Sequence, residues 1–379
     1  MKTVVFNRPY ITGKEAGYIQ EAISNNHISG NGSFTKRCQD LLNKKFSFSH
    51  TLLTTSCTDA LEMASILCNI LPGDEVILPS YTFVSTANPF VLRGAKLVFA
   101  DSYANNPNMD PSAIEKLITK RTKAIVPVHY AGVACDMDAI MHIAKKHNLF
   151  VIEDAAQGID SYYKGKALGG IANLGVYSFH ETKNIVSGEG GALMVNDASM
   201  RSRSEIIWEK GTNRAAFYRG EVDKYGWVDV GSSFLPSDIV AAFLLAQLES
   251  IEDIQKKRIG IWKQYYAALS GLAAEGYFQL PALPDYATCN GHLFYLVCNS
   301  ASDRSSLIAS LKKKGVYAIF HYLSLHRSPF YSKSNRSVSL PHAERFTECL
   351  LRLPLHFYLE PEDVDYVANS ISDHFKKSS

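Results

Sequence analysis

The chain changes its hydrophobic period near residue 51. Before that point apolar residues recur at helical spacing. Residues 13–24 carry Ala16, Ile19, Ala22 and Ile23 on one face, and residues 34–46 repeat the pattern after a polar, glycine-bearing turn at 25–33. From residue 51 short apolar runs alternate with helical stretches. Residues 51–54, 75–78, 96–100, 124–128, 150–152, 175–179 and 191–195 read as strands. Helices are predicted over 57–71, 85–93, 111–118 and 136–147, with Pro72-Gly73-Asp74 as a stop. Such alternation predicts an α/β fold: a mostly parallel central sheet covered by helices on both faces.

In sheets of this kind a ligand binds outside the carboxyl ends of the strands. Thr58, Phe83, Asp154 and Ser178 all fall at or just past such ends, which groups them in one site. Residues 199–230, rich in Arg, Lys, Gly and aromatics, read as irregular, and 238–269 as one long helix or two. The texture then changes to strands at 292–297 and 317–320 and helices at 305–314, 344–351 and 362–375, a smaller α+β C-terminal domain. The division expected is a large domain over 1–250, with an N-terminal arm, and a small one over 251–379.

With 46% hydrophobic and 20% charged residues in 379, the chain is long enough to bury its own core without metal or disulfide staples. Its 39 basic and 37 acidic residues leave a net charge of +2, which argues against a nucleic-acid or membrane footprint. Seven cysteines, an odd number with no CxxC pair, favour reduced thiols. No apolar run approaches the ~20 residues of a membrane span, and Met1 to Pro9 lacks a signal-peptide core. A cytoplasmic location is expected.

The most informative residue is Lys183, in Ser178-Phe179-His180-Glu181-Thr182-Lys183-Asn184, followed by Ser187-Gly188-Glu189-Gly190-Gly191. A lysine on a short loop after an apolar strand can bond covalently to a cofactor aldehyde. Asp154 ends the apolar run Phe150-Val151-Ile152 and is followed by Ala155-Ala156-Gln157. A carboxylate and a lysine, each at a strand end, are the pair that pyridoxal phosphate chemistry requires. Taken singly, Lys183 is an ordinary surface lysine, Asp154 and Thr58 are helix caps, and Phe83 is core. Their joint order shifts the reading. Thr58 stands at a strand-to-helix turn suited to phosphate, Phe83 can stack on a pyridine ring, and Gln157 can donate to the ring oxygen.

These segments, with Pro79-Ser80-Tyr81-Thr82-Phe83, Val126-Pro127-Val128-His129-Tyr130 and Lys210-Gly211-Thr212-Asn213-Arg214, resemble the sugar-nucleotide aminotransferases over about residues 8–370. These are fold type I pyridoxal-phosphate enzymes. Within the family the likeness is greatest to the transaminases that make dTDP-4-amino-4,6-dideoxygalactose for enterobacterial common antigen, a surface polysaccharide. The resemblance implies Lys183 as the cofactor lysine and proton shuttle. It places Asp154 at the pyridine nitrogen, Gln157 at the phenolate oxygen, Phe83 on the ring, and Thr58, the Asp59 backbone and Ser178 at the phosphate. It implies L-glutamate as donor, returning 2-oxoglutarate, and a dTDP-linked 4-keto-6-deoxyhexose as acceptor, in a homodimer with shared active sites. Where many members carry a partner-subunit asparagine, this chain has Ser233 in Gly231-Ser232-Ser233. Asn31, Arg214, Tyr218, His321 and Tyr322 are carried over as substrate contacts, the last two with packing roles as the alternative. No metal is implied. The gluco epimer as product, a 3-ketosugar aminotransferase and a cofactor-binding regulator remain alternatives. A related dehydratase has histidine at the lysine position, against Lys183.

Overall fold

The computed structural model describes residues 2–333, 335 and 338–376. Helices α1 (Glu15–Ser24) and α2 (Ser33–Phe46) precede a central sheet. Its strands are β1 (Thr51–Thr54), β2 (Glu75–Pro79), β3 (Lys96–Ala100), β4 (Thr122–Ile125) and β5 (Phe150–Asp154), then, past a hairpin of β6 (Tyr162–Tyr163) and β7 (Lys166–Ala167), β8 (Leu174–Ser178) and β9 (Gly191–Val195). The sheet order is β1-β9-β8-β5-β4-β2-β3. Strand β9 pairs antiparallel with β1 and β8, while β8, β5, β4, β2 and β3 are mutually parallel. The central sheet is therefore mostly parallel.

Alternate residues of each strand enter two different cores, as the period of 2 dictates. Leu52, Val76, Ala124, Ile152, Val176 and Leu193 face one cluster, which holds Leu61, Ala64 and Leu67 of α3 (Cys57–Leu67). Leu53, Ile77, Ile125, Val151, Tyr177 and Ala192 face the other. That second cluster is covered by α2, by α5 (Met137–His147), which follows the short α4 (Asn88–Leu92), and by α8 (Asp238–Glu249). Burial on both faces explains why these strands read as continuous apolar runs.

Between β9 and α8 the stretch read as irregular contains α6 (Arg201–Trp208) and α7 (Arg214–Tyr218). Their charged, aromatic composition hid two short helices that lack a clean apolar stripe. Helix α9 (Ile251–Ala274) follows α8 after Ser250. Its start packs on the large sheet through Ile254, and from Ile261 onward it packs on a second sheet. That sheet is antiparallel, with β10 (Phe278–Gln279), β11 (Phe294–Cys298), β12 (Ile319–Phe320) and β13 (Leu350–Leu353) in the order β10-β11-β13-β12. Helices α10 (Ala301–Lys313) and α13 (Pro361–Lys376) cover it, with α11 (Pro329–Ser332) and α12 (Pro341–Cys349) between them in the chain.

Three sequence expectations need correction. The helix read over 111–118 is two 3₁₀ turns, because Asp110 accepts from Ser112 N–H in a local turn before Pro111 can start a longer helix. The strand read over 124–128 is β4, displaced to 122–125; Val128 makes only an isolated bridge to Asp154. The helix read over 344–351 ends at Cys349, and Leu350 turns extended to begin β13, a strand the sequence did not disclose.

Candidate active site

Because β9 runs against the others, its first residue, Gly191, lies opposite the last residues of both β1 (Thr54) and β8 (Ser178). The carboxyl ends of the parallel strands thus meet the start of β9 at one edge. Just past β1, Ser56 caps α3 by accepting from Asp59 N–H at 3.0 Å. Gly191 is required beside this turn: a Cβ there would stand 2.5 Å from Cys57 N. The first-turn N–H groups of α3, with the hydroxyls of Ser56, Thr58 and Ser178, line a cavity of about 700 Å³. The phosphate role expected of the Asp59 backbone is revised, since that N–H is engaged in the cap. The Asp59 carboxylate accepts from Thr55 Oγ1 instead, back along its own turn.

Asp154 is buried at the end of β5. Thr86 Oγ1 donates to its Oδ2 at 2.7 Å and Ala156 N–H to its Oδ1 at 3.1 Å. No helix follows it, which removes the helix-cap reading. Lys183 enters the same cavity from the turn after β8. Its backbone N–H donates to His180 O at 2.9 Å. The next residue, Asn184, is buried and donates to Gln255 Oε1 at 2.8 Å and to Asn290 O at 2.9 Å. The lysine is therefore held by a rigid backbone, while among the described residues its Nζ has no hydrogen bond or ion pair. Burial lowers the Lys183 pKa from its ordinary value, and Arg352 pushes it further down against the pull of Cys57 and Asp154.

Gln157 accepts from Ala131 N–H at 2.6 Å through Oε1, and its Nε2 donates to Tyr322 Oη at 3.2 Å. Phe83 is 55% exposed and lines the cavity, so it is not a core residue; its ring lies 6.0 Å from that of Tyr322. His321 also lines the cavity. Its Nε2 accepts from Arg352 Nη1 at 2.9 Å, which leaves the proton on Nδ1 for Tyr130 Oη, also at 2.9 Å. Burial and then the Arg352 charge hold the imidazole neutral. Thr86, Tyr130 and Arg352 were missed by sequence reasoning. Thr86 lies three residues past Phe83, just beyond the quoted segment, and Tyr130 ends the quoted Val126–Tyr130 run, so both were within reach; Arg352 lies on the undetected β13.

The remaining expected substrate contacts lie elsewhere. Asn31, Arg214 and Tyr218 line a second cavity of about 560 Å³, with Lys36, Lys210 and Trp208. Asn31 Nδ2 donates to Glu209 Oε1 at 3.1 Å, and Arg214 Nη2 to Tyr218 Oη at 3.1 Å. Ser233 makes an isolated bridge with Glu209 and lines neither cavity within one chain. Among the described residues no helix is long and apolar enough to cross a membrane, and no cluster of His, Cys, Asp or Glu is suited to a metal. The seven cysteines are free.

The first cavity fits pyridoxal phosphate on its own chemistry: an unpartnered lysine with a depressed pKa, a buried carboxylate across from it, and hydroxyls at a helix start. Similarities to known proteins agree. The pattern of the DegT/DnrJ/EryC1/StrS aminotransferase family matches residues 9–372. The spore coat polysaccharide biosynthesis protein SpsC of Bacillus subtilis is 35% identical over 336 residues, covering 86% of each chain. The pyridoxal-phosphate form of the putative sugar aminotransferase Spr1654 of Streptococcus pneumoniae superposes over 100% of both chains, with TM-score 0.91 and 26% identity. PseC of Helicobacter pylori, an aminotransferase of pseudoaminic acid biosynthesis, covers 99% of this chain and 100% of its own, with TM-score 0.90 and 27% identity. The chain belongs to the DegT/DnrJ/EryC1/StrS aminotransferase family and is a sugar aminotransferase that depends on pyridoxal phosphate.

Proposed function

We propose that the protein transfers the amino group of L-glutamate to C4 of dTDP-4-keto-6-deoxy-D-glucose. The product is dTDP-4-amino-4,6-dideoxy-D-galactose, destined for a surface polysaccharide such as enterobacterial common antigen, and the work is done in the cytoplasm. The observation that carries the chemistry is the free Lys183 Nζ facing the same cavity as the Thr86-bound Asp154 carboxylate. Bound pyridoxal phosphate supplies an aldehyde and a ring able to accept the electron pair released at the substrate carbon. Asp154 holds a proton at the ring nitrogen, and Thr86 and Ala156 fix the carboxylate for that contact. Gln157, pinned by Ala131, presents its remaining amide hydrogen to the ring oxygen. Thr58 and Ser178 hold the phosphate, and Phe83 covers one ring face. Lys183 moves the proton between the substrate carbon and the cofactor. A lowered pKa keeps more of it neutral at a given pH, and only the neutral amine accepts that proton.

The acceptor assignment rests on the sequence resemblance and on the second cavity. Lys36, Lys210 and Arg214 beside Trp208 and Tyr218 suit a diphosphate and a stacked base. In a two-fold dimer that cavity is contributed by the partner subunit, and Ser233 approaches the phosphate from the same side. The test is product NMR after incubation with glutamate and dTDP-4-keto-6-deoxyglucose, compared with the 3-keto isomer and with UDP- and GDP-linked ketosugars. An axial amine at C4 is expected. An equatorial amine assigns the gluco epimer, and preference for a 3-keto or GDP-linked substrate overturns the acceptor while leaving the aminotransferase intact.

A further inference from the structure

The residue that follows Lys183 is tied into a network that ends at a histidine the proposed chemistry does not use. His292 is buried just before β11 and lines the cofactor cavity together with Lys183. Its Nδ1 is 2.9 Å from Asn184 Oδ1. The Asn184 amide nitrogen donates to Gln255 Oε1 and to Asn290 O, so Oδ1 is the accepting end. This fixes the tautomer. Nδ1 carries the proton, and Nε2, across the ring, is a bare acceptor with no hydrogen-bond partner among the described residues.

The backbone beneath this ring is clamped. The His292 N–H donates to Asn290 Oδ1 at 3.0 Å, and its carbonyl accepts from Arg258 Nη2 at 2.7 Å. Arg258 Nε donates to Gly291 O at 3.1 Å as well. Gly291 has φ +62°, and a Cβ there would stand 2.7 Å from the Arg258 backbone carbon, so the clamp requires glycine. Burial holds the His292 pKa well below its ordinary value. Lys183, Arg258, Arg352 and His321 push the same way, Lys183 most strongly. The ring is therefore neutral and accepting at neutral pH. Two other strong acceptors in the cavity are engaged: Asp154 holds Thr86 and Ala156, and His321 Nε2 holds Arg352.

We infer that His292 is a positioning residue for Lys183: its Nε2 receives a hydrogen bond from the lysine amine whenever that amine is released from the cofactor. The contact holds Nζ close to the carbon whose proton it moves, where an untethered side chain would range over a cavity of about 700 Å³. An acceptor also favours the ammonium over the amine, so it limits how far burial lowers the lysine pKa. Cys57 and Asp154 act in that same direction and Arg352 against it. The imidazole is the weaker base, so the proton stays on Lys183 until the substrate carbon takes it. The inference rests on Lys183 as the proton carrier, the reading given above.

The experiment uses the holoenzyme in its pyridoxamine phosphate form, in which Lys183 is free. Acetylation of Lys183 by acetic anhydride is followed against pH by mass spectrometry of its peptide, since only the neutral amine reacts. Wild type is compared with His292→Asn and His292→Gln. Asparagine keeps a donor toward Asn184 and does not reach the lysine, whereas glutamine presents an oxygen at the place of Nε2. His292→Asn is expected to move the inflection lower by about one pH unit, the loss of a hydrogen bond to a charged group. His292→Gln is expected to leave it near that of wild type. In turnover, His292→Asn should lower kcat about tenfold at an unchanged half-saturating glutamate concentration, and His292→Gln should recover most of that loss. An inflection that ignores both substitutions overturns the inference, even where melting temperature and activity fall together, because that pattern marks a merely structural role. A raised half-saturating glutamate concentration at unchanged kcat overturns it as well and sets His292 against the donor. If neither variant retains cofactor, a crystal structure of the wild-type pyridoxamine phosphate form decides. Nζ at about 3 Å from Nε2 supports the contact, and a separation above about 4 Å overturns it. The reading of Lys183 is tested apart: bound pyridoxal phosphate should shield Lys183 from acetylation. A lysine labelled equally in both forms removes that reading, whereas a shielded lysine whose inflection ignores His292 overturns only the present inference.

Discussion

At the scale of single residues, Lys183 and Asp154 differ in how much of their surroundings is already satisfied. Asp154 has a partner at each oxygen, whereas among the described residues Lys183 has none at Nζ. Asp154→Asn should therefore fold and bind cofactor yet lose roughly three orders of magnitude in turnover, each tenfold being about 1.4 kcal/mol of transition-state stabilisation. Steady-state kinetics beside a thermal melt would separate the two effects, and near-wild-type turnover would mean that Asp154 is only structural. Lys183→Met should abolish turnover and also change stability in a pH-dependent way. The folded-state pKa of Lys183 lies below its ordinary value, so between the two the unfolded chain binds more protons than the folded one. Lys183 therefore costs stability below its folded pKa, and that cost disappears as pH rises toward the unfolded value. Apoprotein carrying Lys183→Met should melt above wild type at neutral pH, with the gap closing in alkali. A gap that widens with pH would contradict the shift.

At the scale of elements, the strand ends that hold the site depend on a buried acid one residue from Asp154. Glu153 is fully buried on β5 and accepts from Gly169 N–H at 2.9 Å, Ile171 N–H at 2.7 Å and Ala172 N–H at 2.8 Å. The imidazole of His129 is 3.1 Å away, and its Nδ1 accepts from Cys135 N–H, which leaves Nε2–H to donate to Glu153. The His129 backbone N–H in turn donates to Asp154 O at 3.1 Å. Glu153→Gln sets an amide donor against backbone donors and should cost about 1–3 kcal/mol in urea unfolding. An unchanged midpoint would show that the loop at 169–172 re-forms without the carboxylate. The large sheet was legible because strands buried on both faces print continuous apolar runs, and the strand-end rule then gathered Thr58, Phe83, Asp154 and Ser178, which line one cavity. Strand β13 was not legible. Its four residues continue the apolar spacing of α12 without a Gly or Pro break, so Leu350 and Leu351 read as one more helical turn. Arg352 was lost with it, since an arginine read just past a helix end is ordinarily a solvated surface residue.

At the scale of the whole molecule, one chain separates what the substrate must bring together. Lys183, His321 and Tyr322 line one cavity, and Asn31, Arg214 and Tyr218 line another. No sequence pattern could show this division, because carry-over by motif says which residues serve and not which copy of the chain supplies them. The segment bordering the second cavity also carries apolar surface: Trp227 is 84% exposed, with Val228 and Val230 exposed beside it. A two-fold dimer would cover that surface and set each second cavity against the partner's first, since an isologous contact repeats itself on both sides. The arrangement predicts complementation between inactive variants. Lys183→Ala disables the chemistry of its own subunit, and Arg214→Ala weakens nucleotide binding for the other subunit's site. Unfolded separately, mixed in equal amounts and refolded together, the two should form hybrids in which one site of two has both residues intact. Random pairing makes half the dimers hybrid, so activity should recover to about a quarter of wild type. If both residues serve the same site within one chain, every site lacks one of them, and the mixture stays as inactive as its parents.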